Sequence, residues 1–137
     1  KNHKDTKVYA IDINPHAIGL LKKNIRLNRV EGKIYPILGD AKQVVKGRLL
    51  GASDRVIMNL PEKAIEFMGT ACRALKPTGG IIHFYSFVDE SSSLEDVKRL
   101  LTRTVEKCGK KLEILSARHV RETAPYEWQA VLDAKIH

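Results

Sequence analysis

The chain has 137 residues, 43% of them hydrophobic, enough for one globular core and too few for two ordinary domains. Its 24 Lys and Arg against 16 Asp and Glu leave a net charge of +8, which favours a polyanionic partner such as nucleic acid, with simple solubilisation as the plainer alternative. No apolar run nears the roughly 18 to 20 residues that cross a bilayer, and the opening KNHKDTKVYA is not a signal peptide.

Cys72 and Cys108 lie far apart in the sequence and form neither a zinc spacing nor a disulfide framework. A reducing, cytoplasmic location is therefore expected.

Residues 7–13 (KVYAIDI) are rich in β-formers and read as a strand. Residues 14–28 follow as a helix, with Asn14 as N-cap, Pro15 as first helical residue and Ile18, Leu21 and Ile25 at helical spacing. Residues 33–39 read as a second strand and 41–50 as a short helix. Residues 54–60 (DRVIMNL) form a third strand. Its nearly continuous hydrophobicity predicts a parallel strand covered on both faces.

Residues 62–76 read as a helix stopped by Pro77 and Gly79-Gly80, and 80–88 as the fourth strand. The helix over 93–109 is the clearest, with Ser93 and Asp96 placed for a capping box and Leu94, Val97, Leu101, Val105 and Cys108 recurring along it. Segments 111–121 and 127–136 have no helix between them and read as an antiparallel pair. The alternation predicts an α/β, Rossmann-like sheet, mostly parallel, with antiparallel C-terminal strands.

In such sheets ligands bind beyond the carboxyl ends of the strands. Asp12, Asp40 and Asn59 stand at three successive strand ends. An acid at the place of Asp12 can accept from both ribose hydroxyls, and one at Asp40 from an adenine amine; capping the next helix is the alternative for each. For Asn59 the alternative is a turn residue before Pro61.

AIDINP (10–15), GDA (39–41) and DRVIMNLP (54–61) together resemble the class I S-adenosylmethionine-dependent methyltransferases. More narrowly, the chain is similar over essentially its whole length to the archaeal and eukaryotic type of tRNA guanine-37 N1-methyltransferase. DRVIMNLP is the most specific piece; the other two occur across many methyltransferases. The resemblance implies S-adenosylmethionine as cofactor, held by Asp12, Ile13, Asp40, Ala41 and Asn59. It also implies that Asn59 and Pro61 approach the target guanine of a tRNA. The related aminocarboxypropyl transferases of wybutosine synthesis share the sheet but usually depart from Asn-Leu-Pro here. Amino-group methyltransferases typically show Asn-Pro-Pro-Tyr, where this chain has Leu60 and Glu62. That departure suits a ring nitrogen better than an exocyclic amine.

The family's first strand and glycine-rich turn should precede KVYAIDI, where only KNHKDT stands. The expectation is thus that residues 1–137 are the C-terminal part of a methyltransferase catalytic domain, lacking that strand and loop, with 7–13 and 54–60 unpaired. The general base is not visible. Glu62 stands beside the motif, but a first-turn glutamate more simply offsets a helix dipole.

Arg118, His119 and Arg121 lie in a basic stretch before Pro125 and Tyr126 where an RNA strand could run, arginine pairing with phosphate and tyrosine stacking on a base; a solvated edge strand is the alternative. His16, His83 and His137 have no ligand-like spacing, so no metal site is expected. The rival readings are a nicotinamide-dependent oxidoreductase, which would need a glycine fingerprint, and a non-catalytic RNA-binding fragment.

Overall fold

A computed structural model describes residues 5–137. Lys1–Lys4, the start of the KNHKDT stretch, lie outside the described residues. The chain divides into two compact units, Lys1–Gly47 and Arg48–His137.

In the first unit β1 (Val8–Asp12) and β2 (Ile34–Leu38) pair in parallel, Val8 opposite Ile34 and Asp12 opposite Leu38. The helix α1 (Pro15–Leu27) crosses between them and buries Ile18 and Ile25. Its start is fixed as the sequence predicts: the Asn14 side chain accepts from the His16 N–H at 2.9 Å, and Pro15 gives up an N–H that would have no partner there. After β2, α2 (Ala41–Val44) is a single turn capped by Asp40, and it widens into a π-helical turn over Val45–Leu49. The helix expected over 41–50 is therefore two pieces. Val45 and Leu49 are buried, while Gly47, a poor helix former, lies within the wider turn.

The second unit is a four-stranded sheet in the order β3 (Arg55–Met58), β4 (Gly80–Asp89), β6 (Glu127–Ile136), β5 (Leu112–Ala124). β3 runs parallel to β4, and the other pairs are antiparallel. Helices α3 (Met68–Ala74) and α4 (Leu94–Lys107) pack against each other, and α4 also packs on the sheet. Met68, Ile82, Leu101 and Leu132 meet in this core with at most 1% of their surface exposed. Each such side chain contributes on the order of 1.5 to 3 kcal/mol. The capping box at α4 is complete: Ser93 Oγ accepts from the Asp96 N–H, and Asp96 Oδ2 accepts from the Ser93 N–H at 3.0 Å.

Two expectations are corrected. The segment over 62–76 opens as a 3-10 turn (Ala64–Phe67) before α3, following Pro61 and an uncapped start. The third strand ends at Met58, so Asn59 stands just beyond it, and β3 is an end strand with Ile57 64% exposed rather than covered on both faces. The strands form two ladders, β1 with β2, and β3 with β4, β6 and β5. Strand alternation predicts crossovers but cannot say which strands are neighbours. Among the described residues no ladder joins β1 to β3, as expected for 7–13 and 54–60.

Gly79 and Gly80 open β4 because nothing larger fits. Gly79 has φ of +97°, and a Cβ there would run into the Ile136 carbonyl oxygen. A Cβ at Gly80 would meet the Asp54 carbonyl oxygen and come within 2.7 Å of Leu75 Cδ2.

Candidate functional site

Within the first unit, the carboxyl ends of β1 and β2 hold Asp12, Ile13, Asp40 and Ala41 together. The Gly39 N–H donates to the Asp12 carbonyl oxygen at 3.0 Å, tying the two strand ends. Asp12 Oδ1 accepts from the Asn14 N–H at 2.9 Å, and Asp40 Oδ1 accepts from the Lys42 N–H at 2.8 Å. Both capping alternatives are thus real, yet each uses one carboxylate oxygen and leaves the other for a ligand. Between the acids, Ile13 presents a branched apolar side chain that is 70% exposed. Two carboxylate acceptors beside an exposed aliphatic surface suit a ribose and a flat heterocycle.

In the second unit Asn59 follows β3 and is exposed. Among the described residues its carboxamide has no hydrogen-bond partner, so it does not serve as a turn cap. The turn is made without it, the Lys63 N–H donating to the Leu60 carbonyl at 3.1 Å. Pro61 fixes the backbone direction two residues on. Glu62 is exposed and begins no capped helix.

The basic stretch forms the outer end of the β5–β6 hairpin, where Arg118 to Tyr126 are all exposed. Arg118 donates to Asp133 Oδ2 at 3.2 Å and Arg121 Nε to Gln129 Oε1 at 3.2 Å, so both are already engaged across the strands. Tyr126 stands at the tip, 66% exposed, with φ of +60°. The ring of His119, in the same basic stretch, stacks on Trp128 with centroids 5.3 Å apart, a pairing the sequence did not reveal. Sequence reasoning also missed a polar row across the sheet. His83 Nδ1 donates to Asp133 Oδ1 at 2.7 Å, Arg55 reaches His83 Nε2 at 3.0 Å, and Ser116 Oγ donates to Asp133 Oδ2 at 2.7 Å. The only hint in the sequence was a charged residue inside the apolar run AVLDAKI. Among the described residues no group of three or more His, Cys, Asp or Glu could hold a metal ion, and no helix is long and apolar enough to cross a membrane.

A parallel βαβ unit with an acid at or just beyond each strand end, and a further strand followed at once by Asn-Leu-Pro, is the pattern of the class I S-adenosylmethionine-dependent methyltransferases. Residues 1–115 match the TRM5/TYW2 methyltransferase domain, and the chain belongs to that family. It is 45% identical, over all of its length and 36% of the relative's, to the tRNA (guanine(37)-N(1))-methyltransferase Trm5b of Methanocaldococcus jannaschii. Among solved structures it is similar to TYW2 of M. jannaschii in complex with AdoMet, with TM-score 0.88 and 36% identity over 98% of this chain and 59% of that one. The complex of aTrm5 and tRNALeu is similar with TM-score 0.80 and 42% identity, over 96% of this chain and 35% of the other. The chain thus spans about a third of the length of the first of these relatives.

Proposed function

We propose that the whole protein transfers a methyl group from S-adenosylmethionine to N1 of guanine 37 in tRNA, acting in the cytoplasm. The observation that carries this reading is Asn59: an exposed carboxamide just beyond a strand end, without a hydrogen-bond partner among the described residues, in the Asn-Leu-Pro setting of the methyltransferases that the chain resembles. The 45% identity to an enzyme named for that reaction supports it.

When bound, the cofactor supplies an electrophilic methyl group on a sulfonium. The chain's own residues position and hold. Asp12 accepts from the ribose hydroxyls through its second carboxylate oxygen, Asp40 accepts from the adenine amine, and Ile13 and Ala41 pack on the adenine. Asn59 offers two N–H donors and one acceptor to the guanine edge, and Pro61 packs on its face. Guanine N1 carries a proton at neutral pH, so a base must take it. That base is not assigned to any residue here. Placing the two reactants in line is the larger part of the catalysis expected of such a site. Arg118, Arg121 and Tyr126 are proposed to lie along the tRNA.

A second reading is the aminocarboxypropyl transfer of wybutosine synthesis, supported by the higher TM-score of the TYW2 structure. The relatives of that kind are named for 4-demethylwyosine at position 37, so the mass gained by tRNA carrying guanine there, and by tRNA carrying 4-demethylwyosine, separates the two reactions. An RNA-binding role without catalysis predicts bound tRNA that gains no mass.

The decisive experiment is single-turnover methyl transfer to guanine-37 tRNA by the whole protein and its Asn59→Ala variant. The rate should fall roughly 10- to 1000-fold, the usual cost of losing orientation and one polar contact. Donor affinity, read by calorimetry, should change less than in Asp12→Ala, where about 1.5 to 3 kcal/mol is expected to go with the ribose hydrogen bonds. A folded Asn59→Ala enzyme with an unaltered rate would reduce the asparagine to a turn former.

A further inference from the structure

The two cysteines, distant in sequence, meet in the fold. Cys72 lies in α3 and is buried, 4% exposed. Cys108 caps the C-terminus of α4 and is exposed. Both line one cleft of about 720 Å³ within the second unit, together with Arg73, Lys107 and Lys110. After burial, Cys108 is the neighbour that most raises the Cys72 thiol. One thiol is open to solvent, the other is buried, and three cations line the same cleft.

We propose that Cys72 and Cys108 form a dithiol–disulfide couple, a modification site at which a hydroperoxide closes a bond between α3 and α4. The Cys108 thiolate attacks the peroxide O–O bond. A sulfur–oxygen bond forms, the alcohol or water leaves with a proton, and Cys108 becomes a sulfenic acid. Cys72 sulfur then attacks Cys108 sulfur, and the hydroxyl departs as water with the Cys72 proton. In sum, the two thiols give up two electrons and two protons, and the peroxide is reduced to water and alcohol. Arg73, Lys107 and Lys110 offset the negative charge that develops on sulfur and on the departing oxygen.

The division of labour follows from the surroundings. Burial, with Coulombic and hydrogen-bonding contributions from Cys108, pushes the Cys72 thiol up to about 12. A thiol so hard to ionise does not meet the oxidant first. Once Cys108 is a sulfenic acid, Cys72, which lines the same cleft, is the resolving thiol.

The test is hydrogen peroxide on the folded, purified chain. Both thiols should be lost together, the intact mass should fall by two hydrogens, and the product should stay monomeric on a non-reducing gel. The melting temperature should rise by several degrees, reversibly with dithiothreitol, because the bond constrains the unfolded chain. In Cys108→Ser, an exposed and mild change, Cys72 should resist peroxide altogether. In Cys72→Ala, Cys108 should stop at a sulfenic acid trapped by dimedone. A covalent dimer through Cys108, a sulfinic Cys108 with Cys72 still free, or a link that forms only in urea would each overturn the proposal.

Discussion

Tyr126 shows how a single residue can conflict with its backbone. Pro125-Tyr126 is the two-residue link between Ala124 and Glu127, which pair across the hairpin. Pro suits the first turn position, but φ of +60° at the second asks for glycine or asparagine. An L-residue there costs on the order of 1 kcal/mol, and an aromatic one gains nothing from packing when it is 66% exposed. Such a conflict points to use rather than to stability. Tyr126→Gly should leave thermal stability unchanged or raise it by up to ~1 kcal/mol. It should also weaken tRNA binding by the roughly 1 to 3 kcal/mol of a base-stacking contact. Melting curves and filter binding on one preparation separate the two effects. A loss of stability with unchanged tRNA affinity would return Tyr126 to the role of a turn residue.

The strands of the second sheet are joined by side chains as well as by their ladder. Asp133 on β6 faces His83 on β4 and Ser116 on β5 in register, on the sheet face opposite buried Ile82, Phe84 and Leu132. Arg55 on β3 donates to the far ring nitrogen of His83, so the imidazole carries its proton on Nδ1, toward Asp133. The hydrogen bond from His83, aided by Ser116 and Arg118, holds the Asp133 carboxyl below the usual carboxylate range despite the opposing effect of burial. A depressed folded value means that the unfolded chain takes up protons first as pH falls. The contribution is therefore complete above the unfolded value of about 3.9 and is lost as pH drops through the lower folded one. Denaturant titrations should show Asp133→Asn losing part of this acid-range slope, while Asp133→Ala, which strands three donors, should cost about 1 to 3 kcal/mol at neutral pH. An unchanged acid limb in Asp133→Asn would mean that the carboxylate is not coupled to folding. The contrast with the helices is instructive. Asn14-Pro15 and Ser93 with Asp96 act on backbone three residues away or less, so their caps were legible in the sequence. The Asp133 row and the Cys72–Cys108 pair depend on strand order and helix packing, which no local pattern encodes. Ile57 misled for the same reason: an apolar strand reads as interior whether or not it has a neighbour on both sides.

For the molecule as a whole, the net charge of +8 is the property most directly tied to its proposed partner. Asp12, Asp40 and Asn59 could be proposed as site residues from the sequence because strand ends followed by helix starts can be found without knowing which strands pair. The base that the proposed reaction requires was not legible, since no single spacing marks it. Charge also bears on affinity, and here fixed ion pairs matter. Lys76 is held by Asp54 at 2.9 Å, Lys98 by Glu95 at 3.0 Å, and Arg99 by Asp96, so these cations are partly neutralised already. All three pairs are exposed enough to be worth little to stability. Lys22, Lys23 and Arg26 on α1 are exposed and enter no ion pair among the described residues. Each cation that meets a phosphate releases counterions, so tRNA affinity should fall linearly in log–log terms with salt. If about four phosphates are neutralised, the loss between roughly 50 and 200 mM salt is on the order of 50-fold. Replacing Arg118 and Arg121 by Gln should lower the slope by about 1 to 2 units if the hairpin lies on the backbone of the tRNA. The same change at Lys22 and Lys23 should leave it as it is if α1 is a solvated face. Equal slopes in the wild type and the hairpin variant, measured by filter binding across the salt series, would remove Arg118 and Arg121 from the tRNA interface.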